Sequence, residues 1–390
     1  MEFNNLKLED LATFKYGKMP NSKKKSIGGP YPIYTGYKIS GYYPEYMYED
    51  EMLIIVARGV GGTGDVKIAP PKCYITNLAI ILELDKANCD YKYMQLYLQS
   101  LNLRYLDSGS AQSQITINDL KRLKVSIPDL TSQQKIAKRI SNIEEKITNN
   151  NNIIHTLEQL SQTIFKHWFI DFEFPNEEGK PYKSSGGEFK EIKDEEIPIN
   201  WKIGVLDDIV EVIYGAAFSS KFFNEVGNGL PLIRIRDLKN GKPQFFTNEI
   251  HKKATVINPG DLLIGMDAEF KPTLWKGTKA YLNQRICLVR PKKNIINKLF
   301  LKFLLEPQMR FLESAKVGTT VIHLSKKDID SINIVIPTES ILKKFSILID
   351  PILEEIIIKQ KEIQSLTQLR DTLLPKLLSG EIEIPDNLEV

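Results

Sequence analysis

An internal repeat with a spacing of 209 residues constrains the fold of this chain more than any other feature. Three landmarks recur at that spacing: Gly109, Asp119 and Pro128 match Gly318, Asp328 and Pro337. Five apolar residues between them also recur: Ile115, Leu120, Leu123, Val125 and Ile127 match Leu324, Ile329, Ile332, Ile334 and Ile336. Two similar halves can build one pseudo-symmetric body with two different working faces, so the function is expected to be carried out twice, at a fixed separation.

Each half ends in a long segment with the apolar spacing of a helix that packs in a coiled coil. Residues 132–170 contain no Pro or Gly, and their apolar seam advances by alternating steps of four and three. The seam is Ile136, Ile140, Ile143, Ile147, Asn150, Ile154, Leu157, Ser161, Ile164 and Trp168, and its counterparts are Phe345, Ile349, Ile352, Ile356, Lys359, Ile363, Leu366, Arg370, Leu373 and Leu377. The polar breaks fall at the same two places in both seams, which favours a duplicated element. Pro351 predicts a kink or local break in the second helix, and Pro375 should disturb its last turn.

The stretch before each long helix is predicted to be a mixed, mostly β domain. Strands are expected at residues 32–34, 52–56 and 74–82, and again at 231–233, 262–264 and 281–289. A helical stretch then follows in each half, at 91–105 and 297–312, before a polar loop and a strand that ends in proline. The halves begin with similar residues only 198 apart, so the second interior carries an insertion of about 11 residues (209 less 198). Residues 174–199, which are polar and contain Gly186-Gly187, are interpreted as a linker.

Composition favours a protein of the cytoplasm. The sequence contains no apolar run near the roughly 18 residues of a membrane span, and its first residues do not resemble a signal peptide. The three cysteines show no metal or redox spacing, which fits a reducing compartment. The net charge of +3 is small, but lysines and arginines cluster at 23–25, 234–239 and 252–253. These clusters could hold phosphates or could be ordinary solvated surface.

Two sequence patterns associated with catalysis or cofactors are rejected. Residues 59–64 fit the G-x-G-x-x-G pattern, but the β-like residues 66–71 follow where a dinucleotide site needs a helix. Pro128-Asp129 and Glu144-Glu145-Lys146 fit a nuclease spacing, yet Glu144 and Lys146 lie on the long helix, and Thr338 replaces the aspartate in the second half. The four histidines are scattered, so a metal site is not expected. The chain is therefore expected to be a binding protein and not an enzyme.

Polar loops and paired arginines are the strongest candidates for binding. The loops 108–114 and 317–323 carry small hydroxyl, amide and glycine residues that suit phosphates and base edges, although ordinary turns have the same composition. Arg234 and Arg236 are predicted to share one face of a strand, either to read guanine or to pair with Asp237. Lys271, Trp275 and Lys276 could line a groove, while Trp275 could equally belong to the core.

Three segments resemble the specificity (S) subunits of Type I restriction–modification enzymes. They are Ser132-Gln133-Gln134-Lys135-Ile136-Ala137 at the start of the first long helix, Phe165-Lys166-His167-Trp168-Phe169-Ile170-Asp171-Phe172 at its end, and Leu377-Leu378-Ser379-Gly380-Glu381-Ile382 near the C-terminus. The resemblance covers nearly the whole chain. The second half departs from it at Pro351 and at Leu342, which replaces the Gln-Gln pair.

The resemblance implies an α+β fold with two target recognition domains and two long helices packed as an antiparallel coiled coil. The implied boundaries are 1–131 for the first recognition domain, 132–173 for the central helix, 174–338 for the linker and second recognition domain, and 339–390 for the C-terminal helix. Each recognition domain would read one half of a bipartite, asymmetric site in double-stranded DNA. The coiled coil would set the spacing and dock two methyltransferase subunits, which motor-nuclease subunits join. The chain itself would bind no cofactor, since AdoMet, ATP and Mg²⁺ belong to its partners.

Two groups of residues follow as candidate functional positions. The candidate DNA contacts are Tyr34, Thr35, Arg58, Gly59, Gly61, Lys67, Ser110, Gln112, Gln114, Arg234, Arg236, Lys271, Arg285, Thr319, Thr320 and His323. The principal seam residues are Ile140, Ile147, Ile154, Leu157, Ile349, Ile356, Ile363 and Leu366. Two alternatives remain, namely a specificity subunit of an enzyme outside Type I and a coiled-coil scaffold for protein assembly. A metal nuclease is a more distant third.

Overall fold

Both long helices are divided between two structural units of the chain. The computed structural model describes residues 2–59, 62–107, 113–192, 195–316 and 322–385. The first unit comprises residues up to 145 together with those from 366 onward, and the second comprises Lys146–Ser365. The unit boundaries therefore fall within the helices and not at their ends.

The first unit consists of three small sheets and the helices that cover them. Its strands are β1 (Phe3–Lys7), β2 (Ala12–Tyr16), β3 (Tyr31–Tyr34), β4 (Ile39–Tyr43), β5 (Met52–Val56), β6 (Val66–Ala69), β7 (Tyr74–Ile75), β8 (Ala79–Leu84) and β9 (Lys124–Pro128). Its helices are α1 (Tyr91–Ser100), α2 (Ile117–Lys121) and the first part of α3 (Leu130–Phe165). The sheet orders are β1-β9, β2-β8-β5-β6 and β4-β3-β7.

The second unit repeats this plan with additions. Its strands are β10 (Phe189–Ile192), β11 (Glu195–Pro198), β12 (Lys202–Val205), β13 (Val210–Tyr214), β14 (Phe223–Asn224), β15 (Leu230–Ile233), β16 (Phe245–Thr247), β17 (Val256–Ile257), β18 (Leu262–Gly265), β19 (Thr273–Leu274), β20 (Ala280–Leu282), β21 (Ile286–Pro291) and β22 (Asn333–Ile336). Its helices are α4 (Lys298–Ala315), α5 (Lys326–Asp330) and most of α6 (Glu339–Ser379). The orders β12-β22, β13-β21-β18-β19 and β14-β16-β15-β20-β17 correspond to the three sheets of the first unit.

The insertion in the second half lies between β15 and β18. The chain advances from residue 233 to 262 there, compared with 34 to 52 between β3 and β5, which is the 11-residue excess seen in the sequence. The longer connection contributes β17, which pairs with β20 and widens the sheet. The two halves thus share the same arrangement of sheets, and the second half adds a strand to the sheet that contains the parallel pair β15 and β20.

The buried strand β5 explains the uninterrupted apolar run of residues 52–56. Its side chains alternate between two cores, with Leu53 and Ile55 in one and Met52 and Ile54 in the other. Because both faces of the strand are covered, the sequence reads as continuously apolar and not as alternating. β18 is used in the same way in the second unit, where Leu262 and Leu263 belong to different cores.

The two long helices run antiparallel, as predicted. In the second unit, Lys146 Nζ lies 3.5 Å from Glu362 Oε1, and the rings of Phe165 and Phe345 have centroids 6.5 Å apart. Advancing along α3 therefore means moving backward along α6. In the first unit, Ile140 of α3 belongs to the same core as Leu377 of α6, which agrees with that direction.

The predicted seam is buried to different degrees along its length. Four of its principal residues are buried, namely Ile140, Ile154, Ile349 and Ile356. Four are half-buried, namely Ile147, Leu157, Ile363 and Leu366. Beyond α3 the chain continues in a π-helical turn, Lys166–Ile170, so the predicted helical span of 132–170 is confirmed.

Neither proline breaks the second helix. α6 is continuous through Pro351 and Pro375, so a local break at Pro351 is wrong, whereas a kink there stays a prediction. Both prolines are exposed. The carbonyl group four residues earlier can therefore bond to water where the proline cannot donate.

Residues 174–199 are not a simple linker. Strands β10 and β11 pair there as an antiparallel hairpin, and Phe174 and Ile197 are buried in the core of the second unit. The rings of Phe174 and Trp201 stack with centroids 5.1 Å apart. The polar composition indicated a linker, but a few aromatic residues suffice to anchor the segment.

In the part of the chain that the structure describes, no helix is long and apolar enough to cross a membrane.

Candidate nucleic-acid interface

In each half, a pair of parallel strands ends at one edge, and candidate residues follow directly. β3 pairs with β7, with Ile33 opposite Tyr74, and β15 pairs with β20 in the same way. Thr35 follows β3 and Arg234 follows β15. These two candidates therefore occupy corresponding positions in the two halves, although their chemistry differs.

A single β-bridge recurs at the same place in both halves. Arg58 bridges Gln114 in the first half, and Asp267 bridges His323 in the second. Both members of the second pair lie 209 residues after those of the first. Each bridge brings the last residue of the polar loop next to the segment that directly follows the central buried strand. The candidates Gly61, Ser110, Gln112, Thr319 and Thr320 lie outside the described residues.

Tyr37 lies next to three candidate DNA contacts of the first half, Arg58, Gly59 and Lys67. It was not identified from the sequence. Its hydroxyl donates to the Arg58 carbonyl at 3.4 Å, and Lys67 Nζ lies 5.4 Å from the centroid of its ring. Gly59 has a φ of +136°, and a Cβ there would lie 2.7 Å from the Tyr37 hydroxyl oxygen. Glycine is therefore required where this loop passes over the ring. The seven tyrosines between residues 31 and 48 were the available signal.

Burial and Asp65 shape the electrostatics of this site. Burial, with a smaller contribution from Asp65, raises the pKa of Tyr37, so its hydroxyl stays protonated as a donor. Lys67 also lies 3.4 Å from Asp65 Oδ2. Arg58 is exposed, and none of the carboxylates that the structure describes forms an ion pair with its side chain. The site therefore places an ammonium group and a phenol close together, beside the backbone of the exposed Arg58.

The corresponding place in the second half contains a three-residue polar cluster. Asp267 Oδ1 lies 2.7 Å from His323 Nδ1 and accepts from Arg285 Nη1 at 3.3 Å. Arg285 adopts a φ of +70°, a left-handed conformation that is unusual outside glycine. The predicted candidates Arg285 and His323 are thus brought together, and Asp267 is the partner that the sequence interpretation missed.

Arg234 does not lie in a strand with Arg236, so that prediction was wrong. The Asp237 carboxylate accepts from the Arg234 backbone N–H at 2.8 Å and turns the chain into a short 3₁₀ helix, Ile235–Leu238. Arg236 is exposed on this turn. Burial is the main reason why the pKa of Asp237 is raised, with the nearby hydrogen bonds and arginines opposing it. Local capping overrode the strand expected from the apolar pattern.

Two neighbours hold the Arg234 guanidinium in place. Its Cζ lies 4.0 Å from the centroid of the Phe245 ring, and its Nη2 donates to Gln244 Oε1 at 3.0 Å. Gln244 in turn donates to Glu225 Oε1 at 3.0 Å. A planar guanidinium that is stacked and bonded in this way loses little freedom when it binds a planar acceptor pair.

The remaining candidates have mostly structural surroundings. Tyr34 is half-buried against the core that contains Ile54, and the Thr35 hydroxyl donates to the Lys38 carbonyl at 3.0 Å within a turn. Lys271 is exposed. Trp275 is fully buried and donates to the Thr278 carbonyl, so it belongs to the core and does not line a groove.

The residues of the two rejected motifs have structural roles. The glycine-rich loop leads into β6 and not into a helix, as expected. Glu144 pairs with Lys92 at 2.7 Å, and Lys146 pairs with Glu362. Over the described ranges, no group of three His, Cys, Asp or Glu residues could hold a metal ion.

Comparison with known proteins decides the family. The model of the Type I restriction modification DNA specificity domain matches residues 1–159 and 198–368, one match in each half. The chain belongs to this family. It is 27% identical to the MjaIX specificity subunit of Methanocaldococcus jannaschii, over 97% of this chain and 93% of that one. It is 24% identical to the HindI specificity subunit of Haemophilus influenzae, over 69% and 71%.

A solved structure supports the fold. The S subunit of the Type I restriction–modification system from M. genitalium superposes with a TM-score of 0.66 at 18% identity, over 96% of both chains. The predicted fold class, two sheet-rich domains with a long helix between them, is confirmed. So is the resemblance to the specificity subunits drawn from the three sequence segments.

The C-terminal segment of this specificity-family chain has a clear structural role. Leu377 and Leu378 are buried in the core of the first unit. Gly380 ends α6 with a φ of +75°, and a Cβ there would lie 2.6 Å from the ring of Phe3. The Ile382 N–H then donates back to the Lys376 carbonyl at 3.2 Å. The Ser-Gly-Glu-Ile sequence thus closes the helix against β1.

Proposed function

We propose that this chain is the DNA sequence-specificity subunit of a Type I restriction–modification complex. Each recognition domain reads one half of a bipartite, asymmetric site in double-stranded DNA. The antiparallel helices set the gap between the half-sites and dock two methyltransferase subunits, with restriction–translocase subunits joining them. The family membership of both halves of the chain supports this proposal.

The recurring bridge is the observation that carries the proposal furthest. It places Arg58 and Gln114 in the first half where Asp267 and His323 lie in the second. Guanidinium and amide groups match the edges of guanine and adenine, whereas a carboxylate can accept from cytosine. One frame with two different sets of polar groups is what a reader of two unlike half-sites requires.

Exposed apolar residues on α6 fit the docking of partner subunits. Within the second unit, Ile347 and Ile358 are 66% and 53% exposed. They are 11 residues apart, which is close to three helical turns, so they lie on one face. Partly exposed apolar residues on one face of a long helix suit another helix or a hydrophobic groove.

The chemistry is proposed to reside in the partners. Methylation and cleavage would use AdoMet, ATP and Mg²⁺ bound to those subunits, and the complex would act in the cytoplasm. In this proposal, the residues at the two bridged edges bind and orient DNA and transfer no group.

Methylome sequencing tests the proposal. A host would express the cognate methyltransferase subunit with and without this chain. We expect a split, asymmetric methylated motif only when the chain is present. A compact motif would favour an enzyme outside Type I. A stable complex without a new motif, and without salt-dependent DNA binding, would favour the assembly scaffold.

A further inference from the structure

Two amide side chains are buried in the centre of the helix pair. Asn150 of α3 is 0% exposed and Gln360 of α6 is 4% exposed, and both belong to the second unit. The seam predicted from the sequence has Lys359 at this point. Lys359 instead turns toward Glu355 and Glu362, with ion pairs of 3.4 and 3.3 Å.

The contacts between the helices place these amides at one level. Lys146 pairs with Glu362 and Phe165 packs near Phe345, so residue i of α3 lies close to the level of residue 510 − i of α6. Asn150 is thereby level with Gln360. The 209-residue repeat relates Asn150 to Lys359, which is next to Gln360 in the sequence.

Neither amide is well satisfied within the described part of the protein. The side-chain nitrogen and oxygen of both residues are buried without a hydrogen-bond partner. Burial opposes ionisation of Glu362, but Lys359, Lys146 and the nearby Asn150 amide outweigh it and keep the pKa of Glu362 low. Even so, Asn150 does not meet hydrogen-bond geometry with that carboxylate. Another polar seam residue, Ser161, differs because its hydroxyl donates to the Leu157 carbonyl at 2.8 Å.

Two unsatisfied amides in an apolar seam cost stability that leucines would not. In coiled coils, a buried polar residue lowers stability but also selects one alignment of the helices, because other alignments would leave it without a suitable partner. Here the apolar seam does not select one alignment by itself, because Ile147 and Ile154 lie level with Ile363 and Ile356, which are also isoleucines. A slip of seven residues, about 10 Å, in one of the two directions would place Ile147 level with Ile356 and Ile154 level with Ile349.

We propose that Asn150 and Gln360 fix the axial alignment of α3 and α6. In the observed alignment the two amides share one level, so that one polar site is buried. A slip would move Asn150 to the level of Leu353 or Thr367 and would bury the two amides at separate places. If the chain acts as the specificity subunit proposed above, these residues also determine that the methylated motif has a single gap length.

Distance measurement between two spin labels tests the alignment. The labels would be attached in the full chain through Asn149→Cys and Glu354→Cys, which are exposed positions about 10 Å apart along the helix axes. The native cysteines Cys73, Cys89 and Cys287 are buried. A slip of one heptad would change the axial offset to nearly zero or to about 20 Å.

The labelled parent is expected to give one narrow distance distribution. The variant Asn150→Leu with Gln360→Leu is expected to raise Tm by about 2 °C or more and to broaden or split that distribution. Ser161→Ala is the matched control, since it removes a seam hydroxyl that is already bonded, and it should keep a single distance. The more flexible pair Asn150→Met with Gln360→Met repeats the test in case leucine does not fit.

Two results would overturn the inference. One is an unchanged single distance in both double variants. The other is a lower Tm in both, which would mean that the amides hold the helices together and do not select their alignment. Methylome sequencing of the same variants is then a separate measurement. If the distance distribution splits but even the parent gives no DNA motif, the proposed function is refuted and the alignment role stands. If the distribution splits but the methylated motif keeps a single gap, only the predicted effect of the amides on the gap is refuted.

Discussion

The Gln133 side chain accepts a hydrogen bond from the Asp90 backbone N–H at 3.0 Å, joining the start of α3 to the start of α1. Its amide nitrogen also donates to the carbonyls of Asn88 and Pro128, both at 2.9 Å. Gln133 is fully buried. Its counterpart in the second half, Leu342, is buried in an apolar core instead. The same position thus connects the helix to its domain by hydrogen bonds in one half and by packing in the other.

Replacing Gln133 with leucine should destabilise the first unit. The change leaves the Asp90 N–H and two carbonyls without their partner, and we expect a loss of about 2–4 kcal/mol in the free energy of unfolding. Urea denaturation followed by circular dichroism measures it. Gln134→Leu, at the exposed neighbouring position, is the control and should change stability little. Equal stability of the two variants would show that the bonds of Gln133 are unimportant.

Replacing Arg234 with lysine should alter one base preference in one half-site. Lysine keeps the charge but loses the stacking on Phe245 and the fixed fork that matches guanine. A bidentate pair contributes about 1–3 kcal/mol of discrimination, so the preference should fall by roughly 5- to 150-fold. The measurement is the methylated motif of the variant complex. Arg290→Lys, at a residue 3.6 Å from Glu211, is the control and should leave the motif unchanged. An unaltered motif in the Arg234 variant would exclude a base-reading role.

The elements that the sequence predicted well are those determined by local pattern. The continuous run of residues 52–56 is β5. Asp119 and Asp328 were recognised only as a repeat, and in the structure they help to cap two five-residue helices, Ile117–Lys121 and Lys326–Asp330, that were not predicted. In both, the aspartate bonds back to the Thr116 or Ser325 that precedes the helix. Apolar runs and capping residues act over a few positions, which is why they are visible without a structure.

What the sequence did not show depends on distant partners. The role of Tyr37 follows from Gly59, which lies 22 residues away. The turn at Arg234 is an exception, because Asp237 closes it from only three residues away. The buried polar residue of α6 was misplaced by one position, at Lys359 instead of Gln360, because rotation of one helix against another is set by tertiary packing. Of the candidate site, the bridged pairs at 58 and 114 and at 267 and 323 emerge only when the strands are assembled.

Stability should decrease in acid partly through Asp328. Burial raises the pKa of this carboxyl group, but bonds from Ser325 and the ammonium of Lys316, at 2.9 Å, outweigh it and lower the pKa below 3.8. The folded state therefore has the lower pKa. The stability that Asp328 contributes is fully present above the pKa of this carboxyl group in the unfolded chain. It is lost as the pH falls through the lower pKa of the folded state. Chemical denaturation between about pH 5 and 2 should show a shallower decline for Asp328→Asn. Lys327→Gln, at an exposed lysine of the same helix, should follow the parent curve.

Charged residues on the exposed apolar face of α6 should weaken assembly. If a partner subunit covers Ile347 and Ile358, burial of each side chain contributes about 1.5–3 kcal/mol to the binding free energy. Ile347→Asp with Ile358→Asp is therefore expected to reduce affinity for the methyltransferase subunit by at least about tenfold, measured by co-purification and titration. Asn152→Asp, at an exposed polar position of α3, is the control for added charge. An unchanged Tm would confirm intact folding, and undiminished affinity would place docking elsewhere.

Lengthening a helix should change the gap between the half-sites and leave their bases unchanged. α3 and α6 contain 36 and 41 residues, or about 54 and 62 Å of helix. Four residues inserted into one of them add about 6 Å. DNA rises about 3.4 Å per base pair, so the preferred gap should change by roughly two base pairs. The same four residues inserted after Gly179, an exposed turn with open space around it, provide the control. Methylome sequencing reports both half-sites and the gap together, and an unchanged gap with a folded, active complex would show that helix length does not measure the DNA.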